Sequence, residues 1–226
     1  MKKILLAGNS ITADIIYSYI RTDSRYQVVG SVVDDEFVVL NMVNEIESVG
    51  ISKVISKYPV DEVLVIMAMG YDDLNQTRES MFYKLKEMSY KFETYVHNDS
   101  LIYTHYKLGE GCVVLPGSVI EPHVKIGDNT MVWCNVTIAH HSEVSNHCWL
   151  ASGAVMAGQS KIFKNCFIGV NATIVNNVSV GDFNIIGANA LISKIQRITK
   201  FILLVQENYL NFHLVNTLNI LNFNYE

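Results

Sequence analysis

The sequence predicts an α/β domain on a parallel sheet, followed by a parallel β-helix. Two observations support this prediction. Over residues 1–100, short apolar runs alternate with segments of helical spacing, and from residue 102 the apolar pattern changes to a period of six. Alternating strands and helices indicate a parallel sheet with crossover helices, whereas a hexapeptide repeat is typical of a β-helix. We expect a first domain over 1–100, a β-helix over 101–194 and a tail over 195–226.

The first domain contains both strand and helix patterns. Apolar runs with strand character occur at 3–7, 26–33, 61–69 and 92–96. Segments 11–20 and 75–88 have the spacing and composition of helices. Strand, helix and strand in short succession favour parallel pairing, because a crossover of this length returns the chain to the same edge.

The second domain is an uninterrupted hexapeptide repeat. Every sixth residue from 108 to 192 is aliphatic or methionine, and the residue four positions later is small or of modest size. Three hexads would close a triangular coil of 18 residues, with each aliphatic side chain pointing inward onto its counterpart in the next coil. One coil cannot bury its own apolar face, so the coils must stack.

Composition excludes several classes of protein. The chain has 17 Lys+Arg against 22 Asp+Glu, a net charge of −5, which argues against nucleic acid as a partner. Half the residues are hydrophobic, so the bulk of the chain is not disordered. No apolar run reaches the length of a membrane span. Four cysteines without a CxxC pair predict reduced thiols and a cytoplasmic protein.

The tail over 195–226 has a different composition from the repeat. It contains six Asn and neither Gly nor Pro, with scattered apolar residues. Because an open solenoid end needs a cap, we interpret the tail as a candidate helical cap.

Histidines cluster in the β-helix. Six of the seven lie between residues 97 and 147, and His105, His123 and His141 are spaced by 18, so they would stack along one edge. His140 lies beside His141. A neutral imidazole can act as a general base, and three histidines can hold zinc. Stacked side chains point in parallel rather than converge on one ion, so we expect no metal. Besides a general base and a zinc site, the third alternative is that these outward histidines have no function.

The first domain offers a second candidate site. The turn Gly8, Asn9, Ser10 leads from a strand towards a helix, where free backbone N–H groups can bind a phosphate. It is not a G-x-G-x-x-G motif, which disfavours a dinucleotide cofactor. Asp34 and Asp35 close the second strand, at the edge where open α/β sheets bind ligands. Ordinary polar loops would have the same composition.

The domain order and two segments of the repeat resemble the NeuD/PglD family of bacterial sugar acetyltransferases. The segments are IAHHSEVSNHCWLASGA over 138–154, followed by Gly158, and CFIGVNAT over 166–173. The resemblance covers residues 1 to 193. It implies a Rossmann-like first domain, a left-handed β-helix and a homotrimer with CoA in a cleft between adjacent prisms.

The resemblance also implies roles for individual residues. His140 matches the catalytic base, and His141 stands where some members have an acidic neighbour. The residues implied to contact acetyl-CoA are Trp149, Gly158, Val170 and Asn176. The residues implied to line the nucleotide-sugar pocket are Gly8, Asn9, Ser10, Asp34 and Asp35.

We therefore expect acetyl transfer from acetyl-CoA to the amine of a nucleotide-linked amino sugar in bacterial surface-glycan biosynthesis. Acetylation of a sugar hydroxyl, including that of sialic acid, is the first alternative. Two alternatives belong to other classes: a zinc-dependent β-helix hydratase, and a non-catalytic β-helix scaffold. The absence of the family's usual ending and turn motif favours the scaffold.

Overall fold

A computed structural model of the chain describes residues 1–38, 46–195 and the strand at 201–202. In this part of the chain the first domain is a four-stranded parallel sheet in the order β3-β2-β1-β4, with helices between strands. Its elements are β1 (Lys2–Ala7), α1 (Ile11–Ile20), β2 (Tyr26–Val33), β3 (Ser48–Gly50), α2 (Val54–Lys57), β4 (Leu64–Met67) and α3 (Gln76–Glu87), with short 3₁₀ turns at Asp35–Phe37 and Ile51–Lys53.

The predicted elements of the first domain are confirmed, with one exception. The segment 92–96 does not form one strand of this sheet. Phe92 makes a single parallel bridge to Val65, whereas β5 (Tyr95–Val96) pairs with Val113–Val114 in the second domain. The apolar run therefore spans the junction, and its two ends extend two different sheets.

The second domain is a left-handed parallel β-helix, as the sequence predicts. Its two-residue strands form three faces of a triangular prism. The domain face consists of β5, β7 (Val113–Val114), β10 (Met131–Val132), β13 (Trp149–Leu150), β16 (Phe167–Ile168), β19 (Ile185–Ile186) and β21 (Phe201–Ile202). The apolar face consists of β6 (Leu101–Ile102), β8 (Val119–Ile120), β11 (Thr137–Ile138), β14 (Val155–Met156), β17 (Thr173–Ile174) and β20 (Leu191–Ile192). The charged face consists of β9 (Lys125–Ile126), β12 (Glu143–Val144), β15 (Lys161–Ile162) and β18 (Ser179–Val180).

The coil length is 18 residues from β5 to β20, and only the last described pairing, of β19 with β21, has an offset of 16 residues. Val132 pairs with Val114 on one side and with Leu150 on the other, and the other faces show the same offset. The aliphatic series from Val114 to Ile192 is buried in a single core together with small companions such as Cys148 and Ala172. The inward stacking predicted from the six-residue period is confirmed.

The corners of the prism explain a second feature of the repeat. At every sixth position from 111 to 189 the backbone has a positive φ, the left-handed conformation that Gly and Asn adopt most readily. These residues are Gly111, Gly117, His123, Asn129, Asn135, His141, His147, Gly153, Gln159, Asn165, Asn171, Asn177, Phe183 and Asn189. His123, His141 and His147 therefore occupy turn positions, which orient their side chains at the edges of the prism.

The two domains share a hydrophobic core. Ile4, Ile16 and Ala68 of the first domain pack against the outward residues of the domain face, including Met131 and Trp149. The first domain thus covers one of the three faces. The corner between the other two faces lies on the opposite side of the prism.

Two further sequence expectations concern membranes and the tail. None of the helices within the described ranges has both the length and the apolar character needed to cross a membrane. The proposed helical cap over 195–226 lies outside the described residues except for residue 195 and β21, which pairs in parallel with β19.

Candidate active site

His140 lies at the corner between the apolar and charged faces, which we call the histidine corner (residues 103–106, 121–124, 139–142, 157–160 and 175–178). Its side chain is exposed, as is that of His141. The Nδ1 atoms of the two rings are 3.2 Å apart, so one nitrogen donates a hydrogen bond to the other. If His140 carries its proton on Nδ1, its Nε2 has a free lone pair, which is the state a general base requires.

Gly158 lies one coil above His140, and its lack of a side chain makes room for the imidazole. A Cβ atom at Gly158 would be 2.6 Å from Cε1 and 2.7 Å from Nε2 of His140. Gly158 is not among the residues with positive φ, so backbone conformation does not require glycine here. The ring of His140 is what excludes a larger residue at this position.

The backbone of Gly158 also offers a free donor. Within the described residues, its N–H donates to no acceptor, while its carbonyl accepts from the N–H of Asn177. The free N–H therefore belongs to the residue whose Cα lies against the imidazole of His140. A backbone donor next to a base is the arrangement needed to bind an oxyanion during acyl transfer.

The histidine ladder forms as the 18-residue spacing predicts. The ring centroids of His105 and His123 are 5.1 Å apart, and those of His123 and His141 are 4.5 Å apart. Among the described residues, no group of three or more His, Cys, Asp or Glu side chains is arranged to hold a metal ion. The ladder instead supports the His140–His141 pair by ring stacking.

The residues implied to contact acetyl-CoA lie in three different environments. Asn176 is exposed at the histidine corner, one coil above Gly158. Val170 is 46% exposed, at the corner between the domain face and the apolar face. Trp149 is only 4% exposed and packs against Trp133 and Tyr71 in the interdomain core. Its indole has little free surface for a cofactor, so we assign it a packing role.

The candidate nucleotide-sugar residues come together at the carboxyl edge of the first sheet. Gly8 has φ +122°, and a Cβ there would be 2.6 Å from the carbonyl oxygen of Ala68, so only glycine fits. Asn9 Nδ2 donates to the carbonyl of Phe37 at 2.9 Å, which joins the turn to the segment after β2. Ser10 is the N-cap residue of α1.

The acidic pair at this edge is already paired with protein groups. Asp34 accepts from Lys84 Nζ at 2.7 Å. Asp35 accepts from the backbone N–H and the hydroxyl of Ser52, at 3.2 and 2.9 Å. The second oxygen of each carboxylate takes no part in these hydrogen bonds. It can therefore accept a hydrogen bond from a hydroxyl or amine of a ligand.

His147, the remaining ladder-type histidine, has a structural role. It is 2% exposed, at the corner between the charged and domain faces, which we call the helix corner (residues 109–112, 127–130, 145–148, 163–166 and 181–184). Its Nδ1 is 2.9 Å from Asn129 Nδ2, and its Nε2 is 3.2 Å from the hydroxyl of Tyr83 and 3.5 Å from Glu79 Oε1. Burial lowers the pKa of His147.

The lowered pKa predicts acid sensitivity of the fold. Between its folded and unfolded pKa values, His147 binds more protons in the unfolded chain, so stability falls as pH drops below about 6.5. We expect the midpoint of denaturant unfolding to decrease from pH 7.5 to pH 5. His147→Gln should have a shallower pH dependence over this interval, whereas the exposed-site variant His105→Gln should follow the wild type. Equal slopes for all three proteins would contradict this explanation.

Arg78 is central to the contact between the two domains, a role that the sequence pattern did not predict. It is fully buried on α3, and burial lowers its pKa to about 10. Nε donates to Asn129 Oδ1 at 3.2 Å, and Nη1 donates to Asn75 Oδ1 at 2.8 Å. Further bonds reach four backbone carbonyls, those of Gly70, Asn129, His147 and Cys148.

Comparisons with known proteins agree with this architecture. The family model described as bacterial transferase hexapeptide (six repeats) matches residues 105–140 and 159–194. No curated protein is similar to the chain at a significant level.

Solved structures extend the similarity to both domains. The acetyltransferase domain of PglB from Neisseria gonorrhoeae superposes with a TM-score of 0.79 and 18% identity, over 89% of this chain and 96% of that one. PerB from Caulobacter crescentus, in complex with CoA and GDP-perosamine, has a TM-score of 0.76 and 20% identity over 89% and 93% of the two chains. WeeI from Acinetobacter baumannii has a TM-score of 0.77 and 20% identity over 89% and 96%. The chain thus carries the bacterial transferase hexapeptide repeat and has the two-domain fold of these structures.

Proposed function

We propose that this protein transfers an acetyl group from acetyl-CoA to the amine of a nucleotide-linked amino sugar. The observation that carries the proposal is the arrangement at the histidine corner. There, the imidazole of His140 lies directly against Gly158, whose backbone N–H has no acceptor in the part of the chain that the structure describes. A base and an oxyanion donor on adjacent coils are the two groups that acyl transfer needs. The fold shared with PglB and PerB supports the same reaction.

His140 acts as the general base in this mechanism. The sugar nitrogen attacks the thioester carbonyl carbon of acetyl-CoA, and Nε2 of His140 accepts the proton that the nitrogen loses. His141 Nδ1 accepts from Nδ1–H of His140, which holds the ring orientation and stabilises the imidazolium. The C–S bond then breaks, and the leaving thiolate of CoA takes up a proton.

Gly158 has two roles in the same step. Its N–H is the proposed donor to the oxyanion of the tetrahedral intermediate, and its hydrogen side chain leaves the space that the His140 ring occupies. Val170 and Asn176 remain proposed contacts for acetyl-CoA, as exposed residues of the upper coils. The edge of the first sheet, with Gly8 and Asp34, is the proposed site for the nucleotide part of the acceptor.

The direct test is thiol release from acetyl-CoA in the presence of candidate acceptors. The panel contains UDP-, dTDP- and GDP-linked 3-amino and 4-amino sugars, together with sialic acid. Release with an amino sugar supports the proposal, and release with sialic acid alone would move the reaction to O-acetylation. If no acceptor of the panel causes thiol release and calorimetry detects no CoA binding, the scaffold alternative is favoured.

Gly158→Ala provides a test of the site geometry. The new methyl group would force the imidazole of His140 aside, and small displacements of a catalytic group cost up to about 10²-fold. We expect kcat to fall by about 10- to 10²-fold while the far-UV spectrum and melting temperature are kept. In the His140→Ala background the same change should cost little more, because the two residues act through one ring. Additive losses would indicate that Gly158 acts independently.

The faces of the prism support assembly with other copies of the chain. The domain face is covered by the first domain, and the charged face carries Lys125, Glu143 and Lys161 in a surface ion-pair network. The apolar face instead presents an outward row whose members are exposed or half-buried among the described residues: Leu101, Val119, Thr137, Val155, Thr173 and Leu191. We propose that this face packs in a homotrimer, which the family resemblance also implies.

Assembly would also complete the active site. The histidine corner borders the apolar face, opposite the face that the first domain of the same chain covers. The acceptor pocket and the base in one site would therefore come from different copies. The proposed acceptor and donor are both cytoplasmic metabolites of glycan synthesis, so we place the protein in the cytoplasm, in a capsule or lipopolysaccharide pathway.

Mixed oligomers test the shared site. Chains carrying His140→Ala and chains carrying Asp34→Ala with Asp35→Ala should each be inactive alone. Coexpressed in equal amounts, they should recover activity at about a quarter of the sites, since one intact base can meet one intact pocket. Mixing the purified oligomers without subunit exchange is the control. If coexpression restores no activity, the site lies within a single chain.

A further inference from the structure

We propose that Glu121 is a positioning residue for His140: its carboxylate accepts from the backbone N–H of the base and holds it in place from the coil below. This inference rests on the proposed function, since it concerns the same base. Glu121 Oε2 accepts a hydrogen bond from the backbone N–H of His140 at 2.8 Å. The sequence pattern alone does not single out Glu121.

The contact departs from the pattern of the other corners. At three turns of the helix corner, the corresponding N–H donates to a side chain directly above, 18 residues later. Glu110 donates to Asp128 Oδ1, Asp128 to Asn146 Oδ1, and Lys164 to Asp182 Oδ1. At His140 the residue 18 positions later is Gly158, which has no side chain.

The departure has a geometric consequence. Because Gly158 has no side-chain acceptor, the N–H of His140 cannot bond upward as at the helix corner, and Glu121 accepts from it instead, from one coil below. The space above His140 is thereby left for its own imidazole, which lies against Gly158. Glu121 and Gly158 together allow the corner to expose a base where other corners contain a structural hydrogen bond.

Residues 121–123 support the histidine pair as a unit. The carbonyl of Pro122 accepts from the N–H of His141 at 3.2 Å, and the ring of His123 stacks on His141. Glu121 contacts His140 itself. Three consecutive residues in one coil thus hold two consecutive residues in the next.

The test compares Glu121→Gln, which keeps an acceptor for the His140 N–H, with Glu121→Ala, which removes it, both in the full-length protein. We expect hydrogen exchange of the His140 amide, followed by NMR, to be faster in Glu121→Ala and close to that of the wild type in Glu121→Gln, because an exposed N–H without a partner is not protected. Glu110→Ala, at the helix corner, is the matched control and should leave exchange at His140 unchanged.

The outcomes separate this inference from the proposed reaction. Unchanged exchange of the His140 amide in Glu121→Ala overturns it, and so does an equal change in Glu110→Ala. Because hydrogen exchange needs neither substrate nor turnover, a lack of acetyl transfer would contradict the proposed function without affecting this result. With an accepted sugar, kcat should fall by up to about 10²-fold in Glu121→Ala while KM is kept, since displacement of a catalytic group costs up to this much, and Glu121→Gln should restore most of it. A wild-type kcat in Glu121→Ala, or an equal loss in both variants, would also overturn the positioning role.

Discussion

Replacing His140 with Ala is expected to lower kcat for acetyl transfer by about 10²- to 10⁴-fold, the range typical of losing a general base. The change removes the group with the free Nε2 lone pair beside Gly158. Because His140 is exposed and its ring makes its closest contacts with His141 and Gly158, the fold should be retained. Steady-state thiol release, with acetyl-CoA and the acceptor saturating, measures the effect.

The matched control is His105→Ala. His105 is also exposed at the histidine corner, but its ring contacts are with Tyr106 and His123, two coils below the base. We expect it to retain kcat within about twofold, as for a surface substitution away from the chemistry. The acyl donor should still bind to His140→Ala by calorimetry. Full activity in that variant would remove His140 from the mechanism and, with it, the role we give to Gly158.

The repeat shows how far sequence periodicity can determine a fold. The six-residue series from Val114 to Ile192 fixes which side chains point inward, and the 18-residue coil follows because three faces close the prism. The same 18-residue spacing correctly predicts that His105, His123 and His141 stack along one corner. Local spacing is sufficient here because every coil contacts only the coils above and below it.

The corners required information that periodicity does not contain. Spacing places Glu121 one coil below Ala139, but it does not indicate that the side chain reaches the N–H of His140. Likewise, Trp149 falls in the row that the first domain covers, and a one-domain repeat would leave that row exposed. Both facts depend on how a particular side chain or domain is placed, which only the folded chain determines.

A signal for Arg78 was present but easily missed. The residues at positions 78, 81, 82 and 85 of α3 are all buried, and they have the spacing of one helical face. Met81, Phe82 and Leu85 are apolar, and Arg78 is the single charged residue among these four. A charged residue at a core position of an amphipathic helix indicates a buried polar network rather than a solvated surface.

Arg78→Ala is expected to lower the free energy of unfolding by about 3–5 kcal/mol, since two amide oxygens lose their donor at about 1–3 kcal/mol each and a cavity remains. The orphaned oxygens belong to Asn75 and Asn129, in the first and second domains respectively. Arg78→Lys should be intermediate, because one ammonium has three donors and cannot reproduce the planar fork of a guanidinium. Arg21→Ala, at the exposed C-terminus of α1, should change stability by less than about 0.5 kcal/mol.

Tryptophan fluorescence can show which part of the structure loses stability in Arg78→Ala. Both tryptophans of the chain, Trp133 and Trp149, pack in or against the interdomain core, so their emission reports whether the domains are docked. In Arg78→Ala the fluorescence transition should move to lower denaturant than the far-UV transition, because α3 leaves the helix corner before the coils of the prism separate. Coincident transitions at the wild-type midpoint would show that the six hydrogen bonds of Arg78 contribute no net stability. Coincident transitions at a lower midpoint would show that the two domains unfold as one cooperative unit even without this residue.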